Sequence, residues 1–187
     1  MTYTIIQPPF PLLFRERSKT ELETYGAWFH EVAPQRIAKL MTTVRNTPGY
    51  ESWEPNATPE SLDILGRWFE GEVETREKTA DEIDETRAKL TFPIDIPEDE
   101  LTDKTLSLAM DIGMYFGQVI LKNLTGTRWD QPLKKKNFAD YGQPVIMGFG
   151  TVPLNPVRVI TMTAYGISRG KPARLRELYD TWAKMKR

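Results

Sequence analysis

Apolar positions along the chain recur mostly at the spacing of helices. Tyr25, Trp28, Phe29 and Val32 fall on one helical face, and Ile37, Leu40, Met41 and Val44 continue the period. The run opens with Ser18–Glu21, "SKTE", in which the serine caps the first turn and the glutamate reaches back to it. Pro34 is expected to end or kink this helix, or to begin a second one. Leu62, Leu65, Trp68, Phe69 and Val73 form the next stripe, started by Thr58 as cap and Pro59 in the first turn. "TADE" at Thr79–Glu82 is another capping box and predicts a helix to about Leu90. A long helix is expected from Thr102 or Asp103 to about Leu124, stopped by Gly126. Asn155 as cap with Pro156 at the first helical position starts another, with Val159, Ile160, Met162 and Thr163 suited to burial and Gly170 as its end. Leu175, Leu178, Tyr179, Trp182 and Met185 mark the last helix.

Between these stripes the pattern changes. "IIQPPFPLLF" is extended, because its prolines fix φ and remove donors. It is expected to pack through Ile5, Phe10, Leu12, Leu13 and Phe14 rather than to be displayed as a PxxP ligand. "TFPIDIP" reads as an extended linker. "TRWDQPL" and "QPVIMGFG" are short β-like runs that suit a hairpin, joined by a nine-residue loop, Lys134–Gly142, long enough to be functional or mobile. The pattern predicts a mainly α (α+β) protein. It has a single helical domain over 1–187 with about six helices, an extended segment at 1–17 and a late β-hairpin insertion at 127–150.

The segment "SLAMDIGMYFGQVI" is among the most apolar in the chain, yet it carries Asp111. On a helical wheel Lys104, Ser107, Tyr115, Gln118 and Lys122 lie within about 40° of Asp111, while Ala109, Gly113, Phe116 and Ile120 lie opposite. Such a one-residue-wide polar line is either a solvated face or a seam facing a ligand. In the second case burial would raise the carboxyl pKa and make Asp111 a candidate acid or base. The candidates to join Asp111, Tyr115 and Gln118 are Arg128 and Trp129 on the first β run, Asp140 and Tyr141 in the loop, and Asn155 and Arg158 at the next helix start. Turn, cap and packing roles compete for all of them. Gly113 and Gly117 permit close approach of a helix or an aromatic ring. "LDILGRWFEGEV" and "AMDIGMYFGQVI" echo one another, as two core helices under the same packing demand would.

Composition narrows the chemistry. The 187 residues carry a net charge of −1 and no cysteine, which removes disulfides, thiolate metal sites and a cysteine nucleophile. The single histidine, His30, cannot build a multi-histidine metal site. No phosphate loop, GxSxG elbow or HExxH is present, and "GFGTVP" lacks the flanking strand and helix of a dinucleotide turn. No catalytic residue, metal site or cofactor is therefore assigned. The N-terminus does not read as a signal peptide and no run is long enough to cross a membrane, so a cytoplasmic protein without membrane contact is expected.

The charge is unevenly spread. Residues 51–100 hold sixteen carboxylates against five cations, and residues 121–187 hold thirteen cations against four carboxylates. Glu70, Glu74, Glu77 and Asp81 form an acidic patch suited to a basic protein partner. "KKK" at Lys134–Lys136 is a loop-tip solubility feature, and nucleic-acid binding is not expected.

The succession "DIGMYFGQVILKN", then Trp129, then "DYGQPVIMGF", then "NPV", over residues 111–157, resembles small bacterial proteins of no assigned activity, some of them thought to neutralise toxins. The resemblance implies an immunity-type role and assigns no functional residue. The first expectation is a non-catalytic protein acting by protein–protein binding, with a basic toxin as one form of partner. The alternatives are a small-molecule-binding or hydrolytic enzyme with a polar pocket around Asp111, and a self-associating structural protein.

Overall fold

The computed structural model describes residues 3–92 and 95–186, all but Met1, Thr2, Pro93, Ile94 and Arg187. Among the described residues the protein has six α-helices and two small antiparallel sheets. The helices are α1 (Lys19–Arg45), α2 (Ser61–Glu72), α3 (Ala80–Ala88), α4 (Asp103–Asn123), α5 (Pro156–Ile167) and α6 (Leu175–Met185). The strands are β1 (Thr75–Glu77), β2 (Asp99–Leu101), β3 (Arg128–Asp130) and β4 (Val145–Met147). The mainly α reading stands, as does the late hairpin, with Trp129 opposite Ile146 in the β3–β4 register.

The β1–β2 sheet is an addition to what the sequence predicts. It pairs Thr75 with Leu101 and Glu77 with Asp99 across the segment that carries α3. Its strands are three residues long with no apolar alternation on β1, so hydrophobic periodicity cannot announce them.

Both capping boxes form: Ser18 with Glu21 at α1 and Thr79 with Glu82 at α3. Asn155 caps α5 by accepting from the Arg158 N–H, with Pro156 at its first position. Three expectations about helix ends need correction. First, α1 runs unbroken through Pro34. The proline is exposed, so the carbonyl it leaves without a donor faces water. Second, α2 begins at Ser61, not at Pro59. Thr58 and Pro59 form a tight turn whose carbonyls accept from the N–H groups of Ser61 and Leu62, and no side chain caps the helix. Third, α5 ends at Ile167, before the turn where Gly170 takes φ +77°.

The core is built around α4, which is buried on nearly every side from Thr105 to Ile120. The amphipathic reading of this helix is therefore corrected: within that span only Leu106 and Gln118 are exposed. It packs against α1 and most extensively against α5. The two glycines act as the spacing implies. A Cβ on Gly113 would lie 2.7 Å from the Val157 Cα, and one on Gly117 would lie 2.6 Å from the Trp129 ring. Gly66 of α2 is under the same demand, with the Ala173 carbonyl oxygen 2.5 Å from where its Cβ would sit. That shared demand explains the sequence echo.

The N-terminal segment also packs differently from the expectation. Tyr3 and Ile6 are its buried anchors, whereas Leu12 and Leu13 are exposed and Ile5, Phe10 and Phe14 half-buried. The assumed burial of α5 fails as well. Ile160 is enclosed, Val159 and Thr163 are half-buried, and Met162 is 61% exposed.

Candidate functional site

Asp111 faces neither bulk water nor the Lys134–Gly142 loop. It is 0% exposed, covered by α1 and by the N-terminal segment. Arg36 of α1 grips it in a fork: Nε donates to Oδ1 at 2.8 Å and Nη2 to Oδ2 at 2.7 Å. The Tyr3 hydroxyl donates to the same Oδ2. Arg36 also donates to the Thr4 carbonyl through both terminal nitrogens and to the Ser107 hydroxyl oxygen. Ser107 in turn accepts from the Ile6 N–H at 2.8 Å. The guanidinium lies 5.5 Å from the centre of the Tyr3 ring.

Burial pushes the Asp111 carboxyl above its ordinary range, against the pull of Arg36 and Tyr3. Burial also raises the Tyr3 phenol, helped by the adjacent carboxylate. For Arg36, burial opposes the charge, but the hydrogen bonds to Asp111 prevail and raise its pKa. The polar line of α4 thus begins as a staple: Ser107 and Asp111 fasten an otherwise extended segment to the core. Arg36 and Tyr3, which complete it, were not singled out by the sequence. Arg36 lies on the α1 helix beside the half-buried Ala33 and buried Ile37, and that position is the signal that a paired cation was available.

The rest of the line has similar uses. The Tyr115 hydroxyl accepts from the Ala57 N–H and lies 2.5 Å from the Ser61 hydroxyl. Lys122 and Asn123 donate to the carbonyls of Asn56 and Ala57, so the end of α4 holds the loop ahead of α2. Ala57 needs that support, since it is the non-glycine residue held at positive φ, 55°. Lys104 pairs with Glu72 and Glu74. Gln118 and Arg128 are exposed and join neither group.

Asp140, Asn155 and Arg158 form a second cluster on the opposite side of the hairpin loop. Asn155 Nδ2 donates to Asp140 Oδ1 at 2.9 Å and to the Gln143 side-chain oxygen at 2.8 Å. Arg158 Nη1 donates to the same Asp140 oxygen at 2.9 Å. The carboxylate at the start of α5 occupies the place an anion would take. Tyr141 is buried beside this cluster, and Gln131 ties the loop to α1 by donating to the Leu22 and Gly142 carbonyls. The eight proposed ligand-facing residues therefore fall into separate groups, Asp111 with Arg36 and Tyr3, Tyr115 with Ala57 and Ser61, and Asp140, Asn155 and Arg158 beside the buried Tyr141, with Gln118 and Arg128 exposed, not one pocket.

Two surfaces remain open. The first is an arm, residues 74–103, containing β1, α3 and β2, with eleven carboxylates against four cations. Its helix α3 has no buried residue and β1 none. The arm is rooted by Leu101, by Thr105 hydrogen-bonding both backbone groups of Glu74, and by the Thr102 N–H donating to the Glu74 carbonyl. Within it Arg76 bridges Glu82 and Glu100. All four residues of the acidic patch are exposed, but Glu70 accepts from the Ala173 N–H and Glu74 pairs with Lys104, whereas Glu77 and Asp81 form no ion pair among the described residues.

The second surface is a groove of about 610 Å³ between α5 and α6, with Val159, Met162 and Leu178 among Arg158, Lys171 and Arg174. Among the described residues no group of acids and histidine is arranged to hold a metal ion, and no helix is long and apolar enough to cross a membrane. No protein-family model, curated protein or solved structure matches this chain.

Proposed function

We propose that this is a non-catalytic binding protein that engages a basic partner protein through its acidic arm, with toxin neutralisation as the specific form of that role. The carrying observation is the arm itself: a helix with no fully buried residue, rich in carboxylates, on a segment that, among the described residues, is held to the body at its root. Such a segment contributes little to the core and presents a field that steers a basic surface. The internal engagement of Asp111, Tyr115, Asp140 and Asn155 is a further support, since each polar tip has a structural partner.

The test begins with affinity capture by the full chain from its source cells. The captured protein is then purified and titrated against the wild type and against a Glu77→Lys/Asp81→Lys/Glu85→Lys variant. Three exposed reversals are expected to lower affinity by about two orders of magnitude or more, mostly through the association rate, with a steep loss in high salt. A variant that binds as tightly as the wild type, with unchanged circular dichroism, would refute the assignment to the arm.

A further inference from the structure

Helix α5 carries a composition out of keeping with its exposure. Arg158 is its single charged residue in twelve, and a helix so poor in charge is ordinarily well enclosed. Here only Pro156, Ile160 and Ala164 are buried, and Met162 stands 61% exposed with Val159 and Leu178 beside it. The groove they line is flanked by Arg158, Lys171 and Arg174; Arg158 pairs with Asp140 and Arg174 with the groove's one acid, Glu177, which leaves the rim net positive through Lys171. An apolar floor between cations fits an acidic amphipathic segment.

We propose that the α5–α6 groove receives the acidic arm of a second copy of this chain, and that two chains hold one another in a reciprocal two-fold dimer. Charge complementarity carries the choice of occupant. Asp81, Asp84 and Glu85 lie on one face of α3, spread over about 100°. Phe92, just past α3, is 74% exposed, the most exposed large apolar side chain among the described residues. It supplies the aromatic anchor that the Val159–Met162–Leu178 floor lacks. The lengths agree: α3 spans about 13 Å, while α5 and α6 span about 18 Å and 16 Å. The arm also springs from beside one end of the groove. Glu70, one turn before the arm, accepts from the Ala173 N–H at 2.5 Å, in the loop between Lys171 and Arg174. A two-fold axis near this loop exchanges the arms over a short distance and uses each groove once, closing the assembly. This inference needs no other protein, so it stands or fails separately from the partner reading. If both hold, the dimer masks the arm and a basic partner dissociates it.

The experiment is sedimentation velocity on the purified full chain over two decades of concentration. Salt is set at about 0.01 M and about 1 M, where the screening length falls from about 30 Å to about 3 Å. Mass rising from monomer to dimer in low salt and returning to monomer in high salt is expected. The arm variant Asp81→Lys/Glu85→Lys and the groove variant Lys171→Glu/Arg174→Glu should each be monomeric, and their equimolar mixture should recover the dimer. A Phe92→Ser variant should weaken the dimer at least tenfold. Three results would overturn the proposal: a wild type that stays monomeric in low salt, a dimer that survives both reversals, or a mixture that remains monomeric. A monomeric wild type that binds a synthetic acidic amphipathic peptide would assign the groove to another protein's helix instead.

Discussion

Removing either partner of the Asp111 staple should cost about as much as removing both. In Asp111→Asn the volume is kept but the charge is lost, and Arg36, whose side chain is 11% exposed, loses its counter-ion. Leaving a buried charge without its partner typically costs about 3–5 kcal/mol. Arg36→Met strands the carboxylate instead, and should cost about the same. The double variant Arg36→Met/Asp111→Leu removes both charges and fills the space with apolar atoms. It still leaves the Tyr3 hydroxyl without its acceptor, at about 1–3 kcal/mol for a buried group left unsatisfied, while Ser107 keeps the Ile6 N–H and the exposed Thr4 meets water. Its total should therefore fall several kcal/mol below the sum of the single costs.

Urea unfolding followed by tryptophan fluorescence measures this. With a slope of about 2 kcal/mol per molar, a loss of 4 kcal/mol moves the midpoint by about 2 M. The direction of the pH effect is also fixed. A carboxyl held above its unfolded value binds its proton more tightly in the native state. Its contribution is therefore greatest at low pH and falls as pH rises from the ordinary carboxyl range towards the native value. Arg36→Met should steepen that fall. An Asp111→Asn cost under about 1 kcal/mol, or single costs that simply add in the double variant, would refute the view that this pair is a closed, coupled staple.

Gly113→Ala should destabilise by about 1–3 kcal/mol or more despite a better helix former, because the new Cβ meets the Val157 backbone at 2.7 Å. Gly71→Ala, with nothing within 4 Å of its Cβ, should instead gain up to about 1 kcal/mol, and the same melts compare the two. Ser107→Ala, which removes the acceptor of the Ile6 N–H, should cost about 1–3 kcal/mol and speed amide exchange at Ile6. Glu82, held down to about 2 by the Arg76 guanidinium and the Thr79 N–H, stabilises the arm above its ordinary 4.5, and this support is lost as pH falls towards about 2. A carboxyl NMR titration should place its midpoint well below that of a free glutamate, and Arg76→Ala should bring it back up.

Helix existence was legible from the sequence because capping chemistry and apolar periodicity are local. The boxes at Ser18 and Thr79, the Asn155–Pro156 start and the stop after Asn123 all formed where the residues indicated. The two glycines of α4 were legible for a similar reason, since a missing Cβ has few other uses in a buried helix. The fate of Asp111 was not legible. It depends on Arg36 and Tyr3, 75 and 108 residues away, and a helical wheel records only what lies on one helix. The wheel places Asp111, Tyr115 and Lys122 on one line, and what covers that line is neither solvent nor a ligand but the N-terminal segment and the Asn56–Ser61 loop. The burial of α5 failed in the opposite sense: one side packs on α4 through Ile160 and Ala164, while Met162 on the other stays exposed.

These two errors locate function in opposite ways. A buried carboxylate on an apolar helix draws attention as a reactive group, but here each oxygen is taken by a donor from another segment. Exposing it would require lifting the N-terminal segment away and breaking the Tyr3, Thr4 and Ile6 contacts together. That is a large local unfolding for a group to undergo in each binding event. The arm and the α5–α6 groove carry no such obligation. Reversing charge there disturbs pairs that are already solvated, each worth about 1 kcal/mol or less to the fold. Binding can therefore be tuned on these surfaces at little cost to stability, whereas α4 is constrained on almost every side. In the binding role proposed above, recognition falls to the charged periphery, while the polar line of α4 closes the fold.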